Sequence, residues 1–333
     1  MERDRKAEHI ALALEQKQAS GRNYFDDYVI DHCALPEIDM DAVNLSTAFL
    51  GKQLKSPLLI SCMTGGTDSA RKINENLAIA AEQMGIALGV GSQRKALESP
   101  EQAYTFEIRS LAPTVPILAN LGAVQLNYGF GLEACEEAVA MVNADALVFH
   151  LNPLQEAIQP EGQRNFTGLL DKMGEIAGKL SVPVIVKEVG SGISGALAAK
   201  LVAAGIKIID TAGVGGTSWA RIEAARAKAP DLDAQFVHWG IPTPDSIRQC
   251  KATPGASVIA SGGVRTGLDV AKAIVMGADL AGMASPFLAP AMDSVEAVVD
   301  TIQRTNKALR IAMFCAGADT ISALQHVGIR KAG

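Results

Sequence analysis

ASVIASGGVRTGLDVAKAIVMGADLAGMAS (256–285) holds a short run of branched apolar residues, a Gly-Gly turn, an amphipathic stretch that ends on glycine, and a second apolar run. Two buried parallel strands joined by a helix give this pattern. Such strands are covered on both faces, so they read as continuous apolar runs instead of alternating ones. Gly277 supplies the residue that commonly stops a helix before the next strand.

The same unit recurs towards the N-terminus. SPLLISCM (56–63), GIALGVGS (85–92), VPILANLG (115–122), ALVFHLN (146–152), VPVIVKEVG (182–190) and IKIIDTAG (206–213) bring the runs to eight, with helix-length segments at 69–84, 132–142, 195–204, 244–251 and 267–276 between them. Eight β/α units predict an α/β fold of the (β/α)8 TIM-barrel kind. An open doubly wound sheet should carry a GxGxxG turn in its first unit, and none follows the first run. Residues 56–315 are assigned to the barrel and 1–55 to an N-terminal extension. No Pro/Ser-rich linker divides the chain, so 1–333 reads as a single domain. The stretch 227–243 fits either a lid or an extra helix.

With 333 residues, 48% of them hydrophobic, the chain can bury a large core. Its net charge of -6 comes from interspersed acids and bases, which gives no basic patch for nucleic acid. Cys33, Cys62, Cys135, Cys250 and Cys315 are scattered, odd in number and never in a CxxC pair. That argues against a disulfide framework or structural zinc and fits a reducing cytoplasm. The opening MERDRKAEHIAL is charged and no later stretch is long and apolar enough to span a bilayer, so neither secretion nor membrane insertion is expected.

In such a barrel the active site lies at the C-terminal ends of the strands. Nearly every run ends there in a group that can bind or react: Met63-Thr64-Gly65-Gly66, Ser92-Gln93-Arg94, Asn120, His150 with Asn152, Lys187 with Glu188, Asp210 with Thr211. At the last two runs, bare backbone at Gly262-Gly263, the helix start behind it and the Arg265 side chain suit a phosphate, and Ala284-Ser285 repeats the arrangement alongside. Lys187 interrupts an apolar strand, where an ammonium is costly unless it meets an anion or an electron-rich ring. It reads as a stabiliser of a reduced flavin if the chain is a flavoprotein, as a Schiff-base lysine, or as a structural partner of Glu188 or Asp210. HLNPLQEAIQPEG (150–162) packs an imidazole, amides and carboxylates into one loop. Glu156 there suits Mg2+ completed by waters and substrate phosphates, whereas Glu161 reads as a solvated surface residue.

HLNPLQE, together with RKAEH (5–9), SCMTGGT (61–67), GVGSQR (89–94), NLGA (120–123), GVGGTSWARIE (213–223) and SGGVRTG (261–267), resembles type 2 isopentenyl diphosphate isomerase, with the matches in order from residue 5 to residue 285. The resemblance implies FMN bound by Met63, Thr64, Ser92, Asn120, Lys187, Thr217, Gly262, Gly263, Arg265, Ala284 and Ser285. It implies substrate held by Arg5, Lys6, His9, Ser92, Arg94, His150, Asn152 and Gln155, magnesium held by Glu156, and catalytic roles for Gln155 and His150. It further implies that reduced FMN is the active form, that NADPH is the reductant, and that the chain works as a homo-oligomer, a tetramer. By themselves Arg5, Lys6 and His9 look like the solvated face of a charged helix. Cys62 stands where the family more often has a small residue such as alanine, and it reads as a buried hydrophobe, not a nucleophile.

Three competing readings are weaker. A 2-hydroxy-acid oxidase needs a His base with a neighbouring arginine, and no HGxR-like string occurs late in the chain, where His238 reads as structural. A barrel nucleotide dehydrogenase needs a cysteine in the loop after the sixth strand, which here is GVGGTSW. A non-catalytic flavin-binding protein has no use for Gln155, Glu156, Arg5 and Lys6 together.

Overall fold

The computed structural model describes residues 22–227, 230–236 and 238–332, together with Leu12. Arg5, Lys6 and His9 lie outside the described residues. Three short strands precede the barrel: β1 (Tyr28–Ile30), and the hairpin of β2 (Thr47–Phe49) with β3 (Lys52–Leu54). Eight parallel strands then close on themselves: β4 (Leu58–Ile60), β5 (Ala87–Gly89), β6 (Ile117–Gly122), β7 (Ala146–Leu151), β8 (Val184–Glu188), β9 (Ile208–Asp210), β10 (Ser257–Ala260) and β11 (Leu280–Met283), with β11 returning to β4. Each falls inside one of the eight apolar runs, so the (β/α)8 expectation is met. A last strand, β12 (Ile329–Lys331), pairs antiparallel with β1 and ties the C-terminal end to the start of the described chain.

The period-two alternation of a strand decides what fills the barrel. Leu59, Ala87, Leu118, Ala146, Val148, Ile185, Ile259 and Leu280 form one interior apolar cluster, joined by Phe49 and Leu54 from the hairpin. Two residues further along their strands stand Ser61, Asn120, His150, Lys187 and Ser261, and Asp210 follows Ile208 in the same way. A polar layer therefore caps an apolar plug. The intervening residues, such as Phe149, Val186 and Ile209, face outward into the larger core shared with the helices.

Helix α1 (Asp68–Met84) shows how the sequence punctuates these units. The Thr67 hydroxyl accepts from the Ala70 amide at its start, and Gly85 closes it at φ 63°. The helices that follow are α2 (Arg94–Glu98), α3 (Leu132–Val142), α4 (Pro153–Ile158), α5 (Leu169–Ala177), α6 (Gly195–Ala203) and α7 (Trp219–Arg226), of which α2, α4 and α7 reach the site. The ambiguous 227–243 stretch contains a helix, α8 (Pro230–Phe236), whose Leu232 and Phe236, like Leu154 of α4, pack against the cluster of Ile158 from α4 with Ala220 and Ala224 from α7. The chain continues through α9 (Thr243–Lys251), α10 (Gly267–Val275), α11 (Ser285–Asp293) and α12 (Val295–Cys315). Among the described residues no helix is long and apolar enough to cross a membrane.

Candidate active site

A cavity of about 870 Å³ lies over the polar layer, at the C-terminal ends of the strands. Met63, Thr64, Ser92, Arg94, Asn120, His150, Asn152 and Gln155 all line it. So do Glu156, Lys187, Thr217, Gly262, Gly263, Arg265, Ala284 and Ser285. Every site residue expected from the sequence and described in the structure is thus brought to one cavity. His238, by contrast, is exposed and outside it.

At one end the backbone turns through Gly262 and Gly263 with φ 96° and 79°, in the left-handed region that side chains avoid. A Cβ on Gly262 would lie 2.2 Å from the Gly213 carbonyl oxygen, and one on Gly216 would lie 2.7 Å from the Gly263 nitrogen. The bare backbone is required by packing, and it leaves room at the cavity wall. The helix behind this turn is less available than the sequence implies. Asp269 completes a capping box with Thr266 and its Oδ2 accepts from the Arg265 amide at 3.0 Å and the Thr266 amide at 2.9 Å. Helix α11, in contrast, has no side-chain cap; Pro286 carries no N–H and the Phe287 amide donates to the Ala284 carbonyl at 2.9 Å, so the Ser285 amide is the one that remains for an anion. Arg265 extends along the wall and donates to the Gly215 carbonyl at 3.0 Å. A glycine turn, an uncapped helix start and a guanidinium fit the phosphate of FMN.

The floor is built from adjacent strands in register, with His150 beside Lys187 and Lys187 beside Asp210. Gln93 fixes the row from behind: its amide donates to the Ala138 carbonyl at 2.8 Å, and its Oε1 accepts from the Asn120 amide at 2.9 Å. Asn120 Oδ1 lies 2.9 Å from His150 Nδ1, which places the imidazole proton on Nδ1 and leaves Nε2 with a lone pair. Burial first, and then the Lys187 ammonium, hold His150 down at about 4. Burial likewise pushes the Cys62 thiol up to about 11, against the opposing pull of Lys187 and Asn120. Lys187 Nζ donates to the Glu188 carbonyl at 2.9 Å and lies 3.6 Å from the Asp210 carboxylate. Buried Glu188 is raised above the ordinary carboxyl range by burial, although its Oε2 accepts from the Val189 and Gly190 amides at 2.6 and 2.7 Å.

Above the floor, Asn152 stands immediately before the short helix α4 without a side-chain cap bond, and Pro153 occupies the helix's first position. The Asn152 Nδ2 donates to Gln155 Oε1 at 3.2 Å and to Glu156 Oε1 at 2.9 Å. Gln155 Nε2 in turn donates to Glu223 Oε1 at 2.9 Å, and Glu223 Oε2 accepts from Arg226 at 2.5 Å. Glu156 is 6% exposed, and its Oε2 accepts from the Gln163 amide at 2.6 Å. Beside it, the buried Asn152 Oδ1 has no partner in the fold. No group of three or more His, Cys, Asp or Glu side chains converges here or elsewhere among the described residues. One carboxylate next to an orphan oxygen fits a hard cation whose remaining ligands are waters and substrate oxygens, as magnesium prefers. Arg94 stands at the rim, bonded to Glu98 at 2.8 Å, with Gln163 at 3.5 Å. Glu161 is exposed on its outer side and pairs with Arg226 at 3.4 Å.

Two residues central to this network were not assigned a site role from the sequence. In the sequence Asp210 reads only as a polar strand end and as one of two structural partners open to Lys187. Glu223 ends the quoted GVGGTSWARIE motif, but a glutamate in a charged helix looks like a solvated one, and only the packing of α7 shows it to be fully buried.

Residues 141–331 match the family model of the FMN-dependent dehydrogenases, which places the chain in that class of flavin-dependent barrels. Isopentenyl-diphosphate delta-isomerase of Nostoc sp. is 50% identical over 330 residues, covering 97% of this chain and 94% of that protein. The enzyme of the same name from Synechocystis sp. is 48% identical over 330 residues (97% and 94% covered), and that of Rickettsia rickettsii 45% over 332 (98% and 97%). The chain belongs to the isopentenyl-diphosphate delta-isomerase family. Among solved structures, a putative lactate oxidase of Pediococcus acidilactici superposes with a TM-score of 0.72 at 19% identity, covering 99% of this chain and 90% of that one. A mandelate oxidase superposes at 0.69 with 16% identity, covering 98% and 94%. At such identities these two share the fold alone.

Proposed function

We propose that the chain interconverts isopentenyl and dimethylallyl diphosphate, with reduced FMN as working cofactor, NADPH as reductant and Mg2+ on the diphosphate. The observation that carries this reading is the Asn152, Gln155, Glu156 cluster on α4, suspended over a polar floor in a chain of this family. The reaction adds a proton at one carbon and removes one from another, with no net oxidation. An unactivated alkene is a very weak base, so the acid must be well placed and the developing positive charge must meet an electron-rich neighbour. Reduced FMN, when bound, supplies that neighbour and a proton donor and acceptor.

The chain's own residues hold and orient. Gly262, Gly263, Arg265, Ala284 and Ser285 take the cofactor phosphate, and Met63, Thr64, Ser92, Asn120, Lys187 and Thr217 surround the rest. Arg94, Ser92, Asn152 and His150 hold the substrate, with Arg5, Lys6 and His9 completing its diphosphate site from the N-terminal extension in a homo-tetramer. Glu156 binds the magnesium. Gln155, whose amide orientation is fixed by Glu223 and Asn152, orients the reacting end. His150 carries an unpartnered Nε2 to the substrate, and the enzyme works in the cytoplasm.

The test is anaerobic. The purified chain, loaded with FMN and reduced by NADPH or dithionite, is given Mg2+ and isopentenyl diphosphate. Dimethylallyl diphosphate formed without stoichiometric consumption of reductant is the expected result. Bound flavin without isomerisation removes the isomerase reading and keeps the cofactor, and no flavin affinity removes both.

A further inference from the structure

We infer that Asp210, which lies behind the cavity wall, is the positioning residue that sets how much positive charge Lys187 presents to the cofactor. This inference rests on the flavin reading above. Lys187 sits in register with Asp210 on the neighbouring strand, and both side chains follow interior positions of their strands. The Lys187 side chain is 11% exposed and lines the cavity, whereas that of Asp210 is 3% exposed and does not. Asp210 therefore has no direct contact with the cavity and reaches it through its neighbours, the Lys187 ammonium and the Ser261 hydroxyl.

Three features separate this pair from an ordinary buried ion pair. The 3.6 Å separation is too long for a hydrogen bond, so the carboxylate offsets the charge of Lys187 without consuming a donor. An ammonium has three donors, and the Glu188 carbonyl takes one at 2.9 Å. The remaining capacity stays for a ligand. Next, the nearer carboxylate in sequence, that of Glu188, is turned to the amides of Val189, Gly190 and Ser191, which leaves Asp210 as the carboxylate ion-paired with the ammonium, Glu188 adding a more distant attraction. Finally, Asp210 Oδ1 accepts the hydroxyl of Ser261, the residue directly before the Gly262-Gly263 turn. Through Ser261 the carboxylate is anchored to the turn that forms the phosphate end, so the two ends of the cofactor site share one rigid link.

The floor is thus close to charge-balanced against a neutral oxidised ring, and its ammonium still has donors to offer when the ring gains electrons. Removing the carboxylate leaves an uncompensated positive charge under the ring, which favours the electron-rich reduced form over the oxidised one.

The full-length chain is assayed for its affinity for oxidised FMN and, anaerobically, for dithionite-reduced FMN, in unaltered form and as Asp210→Asn, Lys187→Met and the double variant. Asp210→Asn is expected to move the ratio of the two affinities towards reduced FMN by about tenfold, the scale of one pK unit, and to move nothing once Lys187 is Met. A ratio unchanged in Asp210→Asn with flavin still bound overturns the inference, as does the same shift in the Lys187→Met background. Should Asp210→Asn not accumulate folded, Ser261→Ala keeps the negative charge but removes the hydroxyl that holds it, and the expected shift is towards oxidised FMN; no shift overturns the inference. If the unaltered chain binds FMN in neither state, the flavin reading itself has failed, a result distinct from retained binding with an unmoved ratio.

Discussion

Gln155 Nε2 donates to Glu223 Oε1 across 2.9 Å, and Glu223 is completely shielded from solvent. Arg226 occupies the other carboxylate oxygen, so Glu223 neither turns nor stands as an unpaired buried charge. With Asn152 donating to Gln155 Oε1, the amide has only one orientation that satisfies both neighbours.

Glu223→Gln is expected to lower kcat for isomerisation by roughly 10- to 100-fold, since its own amide can face that of Gln155 with a donor or an acceptor and the orientation is lost. Affinity for oxidised FMN should stay unchanged, because Glu223 lies outside the cavity wall. Parallel measurement of kcat and FMN affinity separates the two, and unchanged kcat would remove Glu223 from the orienting network.

His150 is expected to stay neutral down to about pH 4. Its value in the folded protein lies below the ordinary 6.5, so the unfolded chain binds the extra proton more readily. The stability this contributes is fully present above pH 6.5 and is lost as pH falls through about 4. His150→Gln, which cannot take up a proton, should therefore shift the acid-unfolding midpoint of the flavin-free protein to lower pH. A midpoint that stays put or rises contradicts this.

Cys62 should resist alkylation despite lining the cavity. With the thiol pushed up to about 11, its thiolate at pH 8 is scarcer than that of a free cysteine by on the order of 100-fold. Iodoacetamide labelling, followed by mass spectrometry of the peptide containing Cys62, reads the rate directly. Removing the charge that opposes burial, as in Lys187→Met, should slow it further.

Gly216→Ala puts a methyl 2.7 Å from the Gly263 nitrogen and must push the glycine turn outward. Affinity for FMN should fall by about tenfold or more, with a stability loss of roughly 1–3 kcal/mol by overpacking. Calorimetric titration with FMN and thermal unfolding give both numbers. Undiminished FMN affinity would mean that the turn does not hold the phosphate.

The barrel was legible because its strands are buried on both faces, so that each begins as an apolar run and polar residues enter only towards its C-terminal end. GIALGVGS still overstated its strand, which covers only Ala87–Gly89, because the run continues into the loop that carries Ser92 and Arg94. The β1 and β12 pair could not be read. Each has three residues, and their pairing joins positions about 300 residues apart, which no local pattern encodes. Site residues at strand ends, such as His150 and Lys187, were legible from their break with an apolar surrounding. The residues that govern them were not. Asp210 acquires its meaning from the register of β8 against β9, whereas Asp269, which turns two amides away from any ligand, stands three residues after Thr266 in a capping-box spacing that the sequence does carry.

The apolar plug of Leu59, Leu118, Ile185 and Leu280 has a consequence for traffic. With the barrel blocked beneath the floor, nothing passes down its axis, and whatever reaches the cavity comes and goes on the side of the strands' C-terminal ends. Substrate and product therefore share one end of the barrel. A cofactor lying between that floor and a bound substrate would leave only after the substrate did, with no covalent bond needed to hold it.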